Sequence, residues 1–459
     1  MRLSRLLVLL SLVFVFINCS KDETSAPDID SKEEPKPEKP KPEEPVVPGV
    51  TRYFTLNEAV AFSESGNWLI IHNQDGELLD YRTFKYGDSL IFEALDSELE
   101  STDKLSITFV QYTLAGVNHL HSIRTYTGID KGVVWNQGSS ESSFSFKSRQ
   151  ERTTYSSKFY QQLSQKSSTN FNITVNNVPN IARYNLTSRQ YGNTAGSQVF
   201  QNTSTLNINE VTLQMDVEYL LSIEDGQGNL RYQLLAPQET VNDIVLEYTD
   251  FSEYDHILQI ALPEHSQLTA NVWAYETDVF SGTPLLLSSQ RSAGPADPVA
   301  KLGYIKDFGS FETTFSINTV DHYSYNYEEL GKIPDEIIIM EKPAFEIQES
   351  SKNNFQFSIN INFLRSSSFW SFKETMSDNV TIQTLWHVEA PKTNSFKIGD
   401  LPQEIVQKYP YLNLDNLDYE STTLILRGRN YEDIINSMFN SMVVYRPIYE
   451  FINFYNINE

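Results

Sequence analysis

The chain has 459 residues, with 35 Lys and Arg against 60 Asp and Glu and a formal charge of −25 at pH 7. An acidic surface repels phosphate backbones, anionic bilayers and anionic polysaccharides, so nucleic acid is not an expected partner and any carbohydrate ligand is expected to be neutral. One cysteine rules out an internal disulfide framework, and 25 Tyr and 27 Phe among many Ser, Asn and Thr favour sheets over helices.

Met1-Arg2-Leu3-Ser4-Arg5 is basic and leads into an apolar run from Leu6 to Ile17 interrupted by Ser11. About twelve residues rise ~18 Å as a helix against a hydrocarbon core of roughly 30 Å, so residues 1–18 read as a signal peptide and not a membrane span. The run ends at Cys19, and a lone cysteine in that place points to lipidation of its sulfur. Phe16-Ile17-Asn18-Cys19 resembles the box cut by lipoprotein signal peptidase, with Phe16 and Asn18 where an aliphatic and a small residue are usual. Ser20-Lys21-Asp22-Glu23 resembles the export signal of Bacteroidota surface lipoproteins, although the same charges also suit the start of a solvated linker. The resemblance covers residues 1 to about 50 and implies a lipid anchor in the outer membrane with the chain facing outward. Loss of Arg2 and Arg5 with the signal takes the charge from −25 to −27.

From Pro27 to Pro48 the chain is dominated by Pro, Glu and Lys, which removes amide donors, fixes φ and keeps charge hydrated. Residues 19–50 are therefore expected to form an extended stalk reaching about 90 Å at ~3.1 Å per residue.

The body reads as strands. Val211, Leu213, Met215, Val217 and Tyr219 alternate with polar residues, as do Phe355, Phe357, Ile359, Ile361 and Phe363. Asp75-Gly76 between Trp68-Ile71 and Leu78-Tyr81, and Gly226-Asn229 between Tyr219-Leu221 and Leu230-Tyr232, predict hairpins. Residues after the two hairpins run in parallel: Leu79 with Leu230, Asp103-Lys104-Leu105 with Asp255-His256-Ile257, and Tyr126 with Tyr275. The spacing suggests a repeat of about 150 residues. Within it, Phe171–Val175 echoes Ile244–Tyr248. Near the end, a short helix is expected after Asp400, with Pro402 in its first turn and Pro410 beyond it. A second is expected from Asn430, with Ile434, Ile435, Met438, Phe439 and Met442 as its apolar stripe.

Chemical motifs are few. None of the seven histidines sits in a zinc-protease helix motif; His119 and His121 would share a strand face but lack a third ligand, so a structural pair is expected. Phosphate loops, dinucleotide fingerprints and nucleophile elbows are missing, which weighs against catalysis, and no metal or cofactor is expected. Asp225 and Asn229 fit a hairpin turn better than a calcium loop. Trp386 shares a face with Val380, Ile382 and Val388 and reads as core. Aromatic residues offer the candidate site: Leu268, Ala270, Val272 and Ala274 form an apolar face, placing Trp273 and Tyr275 on the opposite one, with Arg124 and Tyr126 at the matching positions of the first unit. Two rings there could stack a sugar or a partner's side chain, or pack against a second sheet.

The expected fold is mainly β, with tandem antiparallel immunoglobulin- or fibronectin-III-like β-sandwich domains: β-sandwich modules at 51–145 and 216–300 and a β module at 146–215 between them. A C-terminal β-rich domain, 301–459, would carry the short helices. The expected function is noncatalytic binding or adhesion at the cell surface, with a neutral glycan or a surface protein as partner. The alternatives are a surface hydrolase and a structural or assembly component of an outer-membrane complex.

Overall fold

A computed structural model describes residues 49–59, 66–137, 168–188, 192–198, 204–215, 217–237, 243–276, 284–293, 298–376, 379–439 and 447–456. The expected signal peptide, Cys19, the segment Ser20 to Glu23 and the stalk as far as Pro48 lie outside them. The fold is largely β, arranged in several sheets, with two short helices near the C-terminus.

Twelve of the described strands form one sheet. In chain order they are β1 Asn67–Asn73, β2 Leu78–Phe84, β3 Lys104–Ala115, β4 Asn118–Asp130, β5 His265–Tyr275 and β6 Leu285–Ala293. They continue with β7 Ser310–Thr319, β8 Tyr323–Gly331, β9 Arg365–Thr375, β10 Thr381–Pro391, β11 Asp418–Arg427 and β12 Ile448–Tyr455. Their spatial order is β6-β5-β7-β8-β12-β11-β9-β10-β4-β3-β1-β2. Three antiparallel groups of four are thus joined edge to edge, antiparallel between β8 and β12 and parallel between β10 and β4.

Smaller sheets and the two helices cover this sheet on both faces. Leu69 and Ile71 of β1, with Leu105, Ile107 and Phe109 of β3, meet Phe54, Phe92 and Trp135 from the sheet of Val50–Asn57, Leu90–Leu95 and Val133–Asn136. The alternate residues Trp68, Ile70 and Val110 face the opposite core, where Phe355, Phe357 and Phe396 approach from the sheet of Phe345–Ser351, Asn354–Ile359 and Ser395–Lys397. Burial on both faces explains why every residue of β1 is apolar or, like His72, held inside.

A separate core lies between two sheets drawn from residues 168–253, where Phe171, Ile173 and Leu213 face Leu186, Leu221 and Ile223. Strand pairing here runs across the expected boundary at 215/216, because Tyr219–Asp225 pairs with Ile181–Ser188 and Asp243–Glu247 pairs in parallel with Ser168–Asn176. The Phe171–Val175 echo is therefore two neighbouring strands of one sheet, with Ile173 opposite Ile244 and Val175 opposite Leu246. Val299–Tyr304 straddles the boundary expected at 300/301.

The alternation from Val211 to Tyr219 gives the correct buried face but not one strand. Leu206–Gln214 ends and Tyr219–Asp225 begins in the facing sheet, with the Gln214 amide donating to the Tyr219 hydroxyl across the gap at 2.8 Å. The two predicted hairpins have the same turn about 150 residues apart. Asn73 Oδ1 accepts the amides of Asp75 and Glu77, and Asp225 Oδ1 accepts those of Gln227 and Asn229. Gly76 and Gly228, both at φ +84°, supply the left-handed residue. Asp225 Oδ2 accepts from Asn229 and Tyr248, so its oxygens serve the turn. Likeness ends after the turn: β3 returns to pair with β1, whereas His256–Ala261 pairs with Val299–Tyr304.

Helix α1, Gln403–Lys408, starts after Pro402 with Ile405 buried; Asp400 does not cap it, because its carboxylate accepts from Asn353 instead. Helix α2, Tyr431–Phe439, is capped by Asn430, whose Oδ1 accepts the Asp433 amide at 2.8 Å. Its buried stripe is Tyr431, Ile435 and Phe439, while Met438 is exposed and Met442 lies outside the described residues.

Candidate functional site

The parallel joint between β10 and β4 sets the site's geometry. Register places Glu374, Ile382, His119 and Leu114 in one row across β9, β10, β4 and β3, and Phe372, Thr384, His121 and Tyr112 in the next. Directly opposite residues project to the same face, so each row is a line of neighbouring side chains.

Above these rows lies the segment joining α1 to β11. Tyr409 and Leu412 are buried and tie it down, Trp68 Nε1 donates to the Tyr409 hydroxyl at 3.2 Å, and the Asn413 amide donates to Thr384 Oγ1 at 3.4 Å. Gly399 permits the close approach beside it: a Cβ there would stand 2.2 Å from the Gly76 carbonyl and 2.2 Å from the His72 ring. That proximity lets His72 Nε2 donate to the Asp400 carbonyl at 3.1 Å. Burial pushes the His72 pKa below its ordinary value, against the opposing effect of that bond.

Between the segment and the sheet opens a cleft of about 730 Å³, within the range of small-molecule sites. Its lining includes Phe372, Glu374 and Met376 from β9 and the turn after it, Trp386 as floor, and Asp400, Tyr411, Asn413 and Asp415 as wall. Trp386 is fully buried and donates to Thr125 Oγ1 at 2.9 Å, and the Lys352 ammonium stands 5.9 Å from its ring centroid. Tyr411 is 38 % exposed and Met376 40 %, so an aromatic and a soft apolar group are both open to solvent. Acids, amides and one lysine around an aromatic can accept from and donate to hydroxyls while the ring covers C–H surface.

Tyr411 leans on the histidine pair. Its ring centroid is 4.3 Å from that of His119, whose Nδ1 is 2.8 Å from the Tyr112 hydroxyl. His121 stacks on Tyr112 at 5.1 Å and is almost wholly enclosed; burial, and next His119, push its pKa down to about 4. The pair does share a strand face, within an aromatic stack. Among the described residues no group of three or more His, Cys, Asp or Glu could hold a metal ion.

The aromatic positions singled out from sequence fall elsewhere. Ala270, Val272 and Ala274 are buried as expected, but Tyr275 is 2 % exposed and donates to Glu312 at 2.8 Å, while Trp273 is half-buried. Tyr126 is 3 % exposed, edge-on to Trp135 and Phe439 at 5.7 and 5.2 Å. Arg124 is exposed and lies opposite His387 in the β10–β4 register. Trp273 and Tyr275 thus present no joint open platform, because the wide sheet and its neighbours enclose the second ring. Trp386, read as core, is core, yet it also floors the cleft. Tyr411 had no periodic signal in the sequence; only its place after Pro410 and shortly before Asn413, Asp415 and Asn416 marks it as loop.

No protein-family model matches the sequence, and no curated protein does. Two solved structures are similar at 7 % identity. One concerns host cell surface retention of a 1.5-MDa bacterial ice-binding adhesin, covering 74 % of this chain and 87 % of its own at a TM-score of 0.12. The other is a Ca2+-stabilized adhesin that helps an Antarctic bacterium reach out and bind ice, covering 73 % and 90 % at a TM-score of 0.11. Similarity at that level establishes neither a shared fold nor a shared function.

Proposed function

We propose that this chain is a lipoprotein anchored through Cys19 in the outer membrane, displayed on the cell surface, and that it binds a neutral glycan in the β9–β10 cleft without catalysis. Its groups of four strands with their covering sheets are taken as immunoglobulin- or fibronectin-III-like modules whose larger sheets have joined. The signal-like residues 1–18, the export-like Ser20 to Glu23 and the stalk support the location.

The cleft supports the ligand. It brings the exposed Tyr411 ring beside Glu374, Asp415 and Asn416, whose side chains have no hydrogen-bond or ion-pair partner given by any other described residue. Carboxylates on a chain this acidic disfavour an anionic sugar, and a neutral one supplies hydroxyl donors to them.

The test is calorimetry of the purified mature chain against neutral and acidic glycans. A neutral glycan should bind, and Tyr411→Ala should weaken it at least tenfold, about 1.4 kcal/mol, in a chain that still unfolds cooperatively. Glycan turnover abolished by Glu374→Gln with binding retained would assign a hydrolase instead. Equal affinity of wild type and Tyr411→Ala would move the site away from the cleft.

A further inference from the structure

The cleft is the closed end of a longer surface. The row that begins at Glu374 and Ile382 inside it continues, without change of face, to His119 and Leu114 outside it. Three inter-strand steps make that row roughly 14 Å long. Tyr411 sits at the transition: it lines the cleft and touches the His119 ring. Beyond it Leu114, 53 % exposed, adds apolar surface at the end of the row. The β3–β4 turn that carries this end is fastened to the β9–β10 turn, where the Thr381 amide donates to Asn118 Oδ1 at 2.9 Å. That bond ties the two turns at the ends of the row to each other.

We propose that Tyr411, His119 and Leu114 form a second subsite that takes the next rings of an oligosaccharide whose end or branch occupies the cleft, so that the ligand is a chain and not a single sugar. The inference rests on the neutral-glycan reading of the cleft. His119 is suited to the role because its Nδ1 is committed to Tyr112, which fixes the ring, while its Nε2 has no partner among the described residues. With Tyr411 and Tyr112 packed against the ring, its open Nε2 edge can hydrogen-bond a sugar hydroxyl while the Tyr411 ring beside it covers the C–H face. Leu114 extends the apolar surface by one strand.

The experiment is a chain-length series: neutral oligosaccharides of one to six residues from α-glucan, β-glucan, β-mannan and β-xylan, titrated into the mature chain. Affinity should climb with length until the row is covered and then level off. Leu114→Ser should lower the affinity of the longer members about three- to tenfold and leave the shortest binding member unchanged, and His119→Ala should lower the longer members at least as much. His119→Phe, which keeps a ring beneath Tyr411 but has no Nε2, should bind the shortest member as wild type does and the longer members more weakly. Leu114→Ser changes an exposed residue, so it separates the subsite from folding even if His119→Ala disturbs Tyr112. Binding that does not depend on length, or that falls equally for short and long members in Leu114→Ser, overturns the subsite and leaves the cleft standing. Failure of every ladder to bind overturns both.

Discussion

At the scale of single residues, burial and charge decide the behaviour of the histidines. His121 is enclosed beneath Tyr409 and Tyr112, and His387 is packed against Phe369 at 4.3 Å. Burial, with His119 in one case and Arg124 in the other, pushes both down to about 4. The native state therefore favours the neutral ring, while the unfolded chain takes up protons once the pH falls below 6.5. Their contribution to stability is complete above 6.5 and is lost as the pH falls from there to about 4. Denaturant midpoints between pH 7.5 and 4.5 should decline more steeply for wild type than for His121→Gln, and parallel declines would contradict the assignment. Sequence reasoning placed His119 and His121 on one face and Trp386 in the core, because period-two alternation carries that information. For Tyr275 it left open whether that face stays free or is covered, since alternation tells which face a side chain takes and not what covers it; the structure covers it.

At the scale of elements, caps and turns were legible and strand partners were not. Asn430 caps α2 as its sequence implies, and the Asp75-Gly76 and Gly226-Asn229 turns close their hairpins. Whether the strand after a hairpin folds back or moves on depends on competition among edges distant in sequence, so β3 and His256–Ala261 could not be told apart. Helix α2 earns its place through Phe439, which stacks on Trp135 at 3.8 Å and on Phe109 at 6.1 Å. Phe439→Ala should cost about 3–5 kcal/mol, combining lost transfer energy with a cavity between the helix and the sheet. Urea unfolding measures it, and a change below 1 kcal/mol would show that the stack contributes little.

At the scale of the molecule, a sheet of twelve strands raises the question of its ends. An open edge invites pairing with other chains. At β6 the carbonyls of Leu286, Leu287 and Ser289 accept from Thr187, Tyr254 and Asn185, so neighbouring side chains occupy it. At β2 the edge carries the charged pair Arg82 and Asp80 at 2.9 Å. Neither the joining of three four-strand groups nor the cleft at one joint was visible in the sequence, because the β10–β4 pairing connects residues more than 250 positions apart. The proposed anchor and stalk rest on the first fifty residues of the sequence, the proposed glycan site on the joint, and display is what would connect them. The direct test is fluorescent neutral glycan bound to intact cells expressing the full chain, read before and after protease shaving. Label should bind, be removed by shaving and be lost in Tyr411→Ala; label that binds equally in the variant, or that survives shaving, would contradict the account.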